Sequence, residues 1–287
     1  MLKQNTDVSM TGVGAILWAV VLFSLCCGVM RMGIADEGPQ TAWGAPELQG
    51  IWTTATSTPL ERPEQYADRR FLTDSEVAEL GQGVQDRFGD GGTEGWFDLG
   101  LEPLPGHPSS MIVMPADGRI PWRADVKARN HVEPGPAGFG PYLHYLDFDT
   151  GERCISDGIT MFPQHPYNNN FRILQTPDHV VILQEMFGEV RIVPLDGLPH
   201  IESSLGQWLG DARGHWEGQT LVIETRGYAA KGDYHWAVPW RSVRPTLRLT
   251  ERLTRLDDTT IDYRFTITDP TMFTEPWTAV LPMTNDH

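Results

Sequence analysis

The chain has 287 residues, a formal net charge of −16 and a sequence pI near 4.9. So acidic a balance excludes the electrostatic footprint of a nucleic-acid binder or a protein held on anionic membranes, and leaves small organic molecules as the partner class. Ten tryptophans and 10% aromatic residues exclude a disordered polymer, and the length suffices for one large β domain with a sizeable core.

In chain order, Lys3 precedes an apolar run from Val13 to Met30, and Gly33-Ile34-Ala35 supplies small residues of the kind a signal peptidase accepts. Residues 1–35 are therefore predicted to be a signal peptide cleaved after about Ala35, sending the protein to the periplasm or beyond. The alternative is an uncleaved anchor, since the run is close to the roughly 18 residues that span a bilayer; this segment is the only membrane contact expected. Cleavage removes Cys26 and Cys27 and leaves Cys154, which cannot form an internal disulfide alone and reads as a small buried hydrophobe.

Residues 36–46 read as a flexible lead-in and 47–287 as a single domain. Leu48 to Thr53 begins a strand. Thr73 with Glu76 forms a capping box, and Val77, Leu80, Val84 and Phe88 follow at helical spacing, which predicts one amphipathic helix over 74–88 whose stripe lies as a lid on the β structure. Met111 to Pro115 and Arg119 to Trp122 flank Ala116-Asp117-Gly118 as a hairpin, and the Gly- and Pro-rich stretches 90–106 and 133–141 read as long loops.

From Asn170 onward the β signal dominates. Phe171–Thr176, His179–Met186, Val190–Pro194, Gln219–Thr225, Leu247–Leu256, Thr260–Thr268 and Trp277–Leu281 alternate with turn signals such as Thr176-Pro177-Asp178 and Asp257-Asp258. This spacing is that of an antiparallel meander, and closure into a barrel is what protects a meander's edges. The predicted fold is mainly β: an antiparallel barrel with one or two short helices and long wrapping loops. A small barrel of this kind is filled by side chains or holds one apolar ligand.

Strand parity singles out Glu251. Leu247, Leu249, Glu251 and Leu253 share one face of their segment, and Arg248, Thr250, Arg252 and Thr254 the other. The next segment repeats the pattern, with Ile261, Tyr263, Phe265 and Ile267 inward. An inward carboxylate has to be paired, hydrogen-bonded or held protonated, and the last is how general acids are tuned. Glu185 offers a second carboxylate, with Arg191 across a predicted hairpin to neutralise it; the plain alternative is a buried ion pair that fixes register. His200, after Asp196-Gly197-Leu198-Pro199, sits in a turn that could reach the barrel mouth or leave the ring half in water.

Asn168-Asn169-Asn170 could donate amides to a ligand or simply make a turn, and Trp208 and Trp216 around Asp211 and Arg213 read as core indoles flanking a hairpin turn. His144, Asp147 and Asp149 have a spacing that a solvated loop explains better than a metal. Nucleophile elbow, phosphate loop, dinucleotide fingerprint and zinc-protease helix are all missing from the sequence, so no cofactor or metal is expected.

Gly50-Ile51-Trp52 resembles the Gly-x-Trp of the calycin and lipocalin group, whose Trp closes the barrel floor. A more specific resemblance over residues 46–287 is to a family of exported bacterial proteins of unassigned function. It is carried by Leu48 to Thr53, Gly151-Glu152-Arg153-Cys154, Tyr167 to Asn170, Leu183 to Met186, Pro194 to His200, Trp208 to Gly218, Thr250-Glu251-Arg252 and Glu275 to Thr278. Arg248 stands where that family usually has His. The family's tail with a Cys-His-Glu segment has no counterpart after His287; if its cysteine pairs with Cys154, either this chain forgoes that bond or the sequence is a fragment.

The resemblance implies a lipocalin-like barrel and an exported address. The functional expectation is an enzyme acting on a hydrophobic small molecule by cofactor-independent acid/base chemistry, of hydratase, isomerase or cyclase type. Glu251 would be the acid or base, Glu185 its partner, Arg191 the anion stabiliser, and Tyr263 and His200 auxiliary donors. A non-catalytic carrier of an apolar metabolite, or a filled structural barrel, would use the same fold.

Overall fold

The computed structural model describes residues 38–88, 100–129, 150–151, 153–156, 159, 167–230, 239–241 and 243–285. The predicted signal peptide, the His144, Asp147 and Asp149 group and the loop 133–141 lie outside the described residues. Among the described residues, no helix is long and apolar enough to cross a membrane.

The protein is mainly β. Its strands are β1 (Gly50–Thr53), β2 (Ile112–Met114), β3 (Asn170–Gln175), β4 (His179–Gln184), β5 (Val190–Pro194), β6 (Asp211–Glu217), β7 (Thr220–Arg226), β8 (Arg248–Arg255), β9 (Thr260–Thr268), β10 (Trp277–Val280) and β11 (Met283–Thr284). They form one antiparallel sheet in the order β5-β4-β3-β1-β11-β9-β8-β7-β6, with β10 pairing β9 and β2. The long strand β9 serves two neighbours: its first residues pair with β11 and its later ones with β10. Pro282 stands between β10 and β11, and with no N–H to give the ladder it divides what would otherwise be one strand.

The sheet is not closed by hydrogen bonds, because β5 and β6 end it without a shared ladder. The two end strands nevertheless touch through side chains. A Cβ on Gly214 of β6 would lie 2.8 Å from Val193 Cγ1 and 2.7 Å from Leu195 Cδ2, so the glycine is what lets β5 lie this close. The sheet thus curls until its first and last strands meet.

Its inner face is the core. Leu221, Ile223, Leu249, Leu253, Ile261, Tyr263, Phe265, Ile267 and Trp277 are buried there, with Ile173, Ile182 and Val193 from the other half. Trp240 stacks on Phe265 with ring centroids 5.8 Å apart and meets Trp277 edge-on at 5.3 Å. Each such side chain contributes about 1.5–3 kcal/mol on burial, and a carboxylate in the same row contributes only if it is paired.

One end is held by Trp52 of β1. Its indole is fully buried, donates from Nε1 to Leu48 O at 3.0 Å, and lies under the Arg255 guanidinium at 5.3 Å. Arg255 in turn donates to the carbonyls of Glu47, Asp257 and Asp258, tying the start of β1 to the β8–β9 turn. The buried amide of Gln175 accepts from Leu48 N and donates to Pro46 O, which locks β3 to the same segment.

The seven strands predicted after Asn170 are present, with ends displaced by a residue or two. So is the helix, α1 (Asp74–Phe88), with both bonds of its capping box: Thr73 N donates to Glu76 Oε2 at 2.9 Å and Glu76 N to Thr73 Oγ1 at 3.4 Å. A second short helix, α2 (Ala124–Arg129), falls within the one or two expected, at a place the sequence pattern does not mark.

Several expectations are corrected. The α1 stripe of Val77, Leu80 and Val84 is only half-buried, and Gly81 backs onto the Leu101 carbonyl, so α1 lies against a loop and is no lid on the sheet. The 111–122 hairpin does not form: the Pro115 to Gly118 turn exists, but β2 pairs with the distant β10 and Trp122 bridges to Phe273. Asp211 and Arg213 lie in strand β6, where a turn was expected. Of the two indoles beside them, Trp216 packs on the core while Trp208 is exposed. Cys154 is exposed, not buried. In the lead-in, Thr41 and Ala45 close a bonded turn, which replaces the flexible linker expected there.

Candidate functional site

Parity predicts that Glu251 points inward, and the side chain is 0% exposed, between Leu249 and Leu253 on β8. Its partner is Arg191, which stands opposite Ile182 in the β4–β5 register and so shares that residue's inward face. Arg191 reaches across the interior to β8. Nη1 donates to Glu251 Oε1 at 3.0 Å, Nη2 donates to Oε2, and the Arg191 side chain is 10% exposed. Tyr263, inward on β9, donates its hydroxyl to Glu251 Oε1 at 2.8 Å. A fork of two guanidinium bonds plus a phenol occupies both carboxylate oxygens.

A fourth member was not predicted. Tyr228 follows β7 beyond Gly227, is buried, and packs its ring against Gly210, where a Cβ would lie 2.9 Å from Tyr228 Cε1. Gly210 also has φ +70°, so both its conformation and its missing side chain make room for the ring. The Tyr228 hydroxyl and the hydroxyl of Thr225, inward at the end of β7, are buried without a partner of hydrogen-bond geometry. Burial pushes the Tyr228 phenol well above the ordinary tyrosine value; Arg191 opposes the shift, Glu251 adds to it, and the nearby Thr225 hydroxyl opposes it weakly. Tyr228 is thus a neutral O–H, able to donate or accept, with the Thr225 hydroxyl beside it. For Arg191, burial works against the cation and the Glu251 carboxylate more than offsets it, so the guanidinium is held above its usual value.

The remaining predicted residues lie elsewhere. Glu185 is not a partner of Arg191 or Glu251: it falls just past β4, is exposed, and its Oε2 accepts from Asn170 Nδ2 at 2.9 Å and Asn170 N at 3.3 Å. The physical reason is that β4 ends at Gln184, so strand parity no longer governs Glu185. His200 is only 10% exposed, and its Nδ1 lies 2.8 Å from Asp211 Oδ2. Asp211 has the parity of Arg213 and His215, opposite to the core-facing Ala212, Gly214 and Trp216, so His200 sits on the outer face of the sheet, away from Glu251. Asp211 also accepts from Ile201 N and Arg213, which fixes the carboxylate that orients the imidazole. Within the described residues, no group of three or more His, Cys, Asp or Glu side chains is placed to hold a metal.

The sheet therefore encloses a charged pair, two tyrosines and a threonine in an otherwise apolar lining. Such an arrangement can fix one polar group of a largely apolar molecule. Comparisons of the chain with protein-family models, with curated proteins and with solved structures find no match in any of the three.

Proposed function

We propose that this chain is an exported, lipocalin-like binding protein that holds a mainly apolar small molecule within its curled sheet. One polar group of the ligand lies against Tyr228, Thr225 and the Arg191–Glu251 pair. The observation that carries this reading is the pair of buried hydroxyls on Thr225 and Tyr228 beside a satisfied ion pair, close to each other but without a partner of hydrogen-bond geometry. Buried polar atoms are nearly always bonded, and a ligand hydroxyl or carbonyl would bond these. A barrel is supported by the contact of Val193 and Leu195 with Gly214 and by Trp52 with Arg255 across one end.

The binding reading is favoured over acid–base catalysis by Glu251. Both of its oxygens are already engaged by Arg191 and Tyr263, so acting on a substrate would mean giving up or sharing those bonds.

The test is native mass spectrometry of the full chain from an exported preparation made without detergent. An adduct of a few hundred daltons is expected. Tyr228→Phe removes a hydroxyl that makes no well-formed hydrogen bond to the protein, so it should leave stability nearly unchanged and weaken retention of the adduct by about ten-fold, the worth of one good hydrogen bond. A bare polypeptide mass, or an adduct held equally by the phenylalanine variant, would overturn the assignment.

A further inference from the structure

The outer face carries a second arrangement, built on outward side chains, although Thr225 borders both it and the interior site. A cleft of about 290 Å³ lies over the ends of β7, β8 and β9, lined by His200, Glu224, Arg226, Arg248, Thr250 and Thr268 among others. In the β7–β8 ladder Thr225 stands opposite Leu249, so the next position of the same antiparallel register sets Arg226 opposite Arg248. Like charges directly opposite on neighbouring strands repel. The sheet holds another such pair, Arg252 opposite Arg264, and there each guanidinium has its own carboxylate, Glu217 and Asp262. Arg226 and Arg248 make no comparable close ion pair among the described residues, although Asp211, already bonded to Arg213 and Ile201 N, stands opposite Arg226 in the β6–β7 ladder.

The cleft's other wall is a built acceptor. The Nδ1 of His200 is held by Asp211, which in turn is held by Arg213 and the Ile201 N–H; Nε2 has no partner among the described residues. With Nδ1 on the Asp211 carboxylate, the Nε2 of a neutral ring is left as an acceptor. Glu224 adds two acceptor oxygens, and the hydroxyls of Thr250 and Thr268 donate or accept. The site thus combines two facing arginines, neither in a close ion pair, with acceptors that a bare anion would not use.

We propose that this cleft binds a small hydroxylated organic acid, such as a sugar acid or hydroxy acid. Its carboxylate lies between Arg226 and Arg248, and its hydroxyls donate to His200 Nε2 and Glu224. The carboxylate removes the repulsion between the arginines, and the hydroxyls bond the acceptors of His200 and Glu224 in the same cleft. The ligand differs in class from the apolar molecule assigned to the interior.

The experiment is titration of the full chain with D-glucuronate and with lactate at constant ionic strength, read by NMR at the arginine Nε–H and histidine ring resonances, with acetate and glucose as controls. Saturable shifts at Arg226, Arg248 and His200 are expected with at least one of the hydroxy acids, which binds about ten-fold or more tightly than acetate because it adds hydrogen bonds to Glu224 and His200. Arg226→Gln and Arg248→Gln should each weaken binding by about ten-fold or more. Neither should unfold the protein, because each relieves a repulsion, and Arg252→Gln should leave binding unchanged. The proposal fails if neither acid gives a saturable shift, if acetate binds as tightly, or if the shifts persist in the double variant.

Discussion

Replacing Arg191 by Met tests whether the interior pair is a coupled unit. Methionine keeps most of the side-chain volume while removing both guanidinium bonds to Glu251, and the carboxylate, at 0% exposure, would be left with the Tyr263 hydroxyl alone. Removing one partner of a buried ion pair costs about 3–5 kcal/mol. At roughly 2–4 °C per kcal/mol for a folded unit of this size, the melting temperature should fall by about 6–20 °C. The converse change, Glu251→Met, should cost less, because Arg191 keeps 10% exposure through which water can reach the stranded cation. In the double variant the apolar pair would extend the row of Leu249 and Leu253, and stability should return to within about 1–2 kcal/mol of the parent. Chemical denaturation of all four proteins gives the coupling energy. A loss below about 1 kcal/mol in Arg191→Met, or strictly additive effects, would refute a mutually dependent buried pair. A double variant that folds but no longer carries the adduct would separate binding from stability.

Two further outcomes follow from the same geometry. Gly214→Ala would place a Cβ within 2.8 Å of both Val193 Cγ1 and Leu195 Cδ2. Overpacking of this kind costs about 1–3 kcal/mol, so denaturation midpoints should drop and hydrogen exchange should quicken along β5 and β6 before the rest of the sheet. The second concerns Glu76, which Arg69 and the Thr73 cap hold down to about 2 from an ordinary value of 4.5. A depressed carboxylate contributes stability that is present above 4.5 and lost as the pH falls through about 2. The start of α1 should therefore fray over that window in helix-specific NMR shifts, and Glu76→Gln should abolish the dependence.

The inward carboxylate was legible because β8 and β9 are amphipathic along their whole length, with buried positions such as Leu249, Leu253, Ile261 and Phe265 at a strict period of two. Strand β6 was not, for a reason visible in its packing. Its inward residues are Ala212, Gly214 and Trp216, two of them small because β5 crosses there, so the alternating apolar signal that marks a strand is erased where the sheet curls onto itself. Charge spacing paired Arg191 with Glu185, but the β4–β5 register that sets Arg191 opposite Ile182 turns it into the interior, and the strand's end at Gln184 frees Glu185. Tyr228 and the facing arginines at 226 and 248 carried no local signal, since their placement depends on a bend after Gly227 and on a long-range ladder.

The interior network is also where local and global preferences conflict most plainly. Every neighbour of Glu251 on its face is aliphatic or aromatic, and an apolar residue there would need neither an arginine brought from β5 nor a phenol from β9. Buried ion pairs contribute little net stability compared with apolar residues of similar volume, so stability alone does not account for three polar side chains converging from three strands. Places where a sequence departs from the rule its own surroundings set are where function is expected to reside. The buried hydroxyls of Tyr228 and Thr225 beside this pair give that expectation a location, and the polar atom of the proposed ligand would lie against them, next to a charged pair already held by its own bonds.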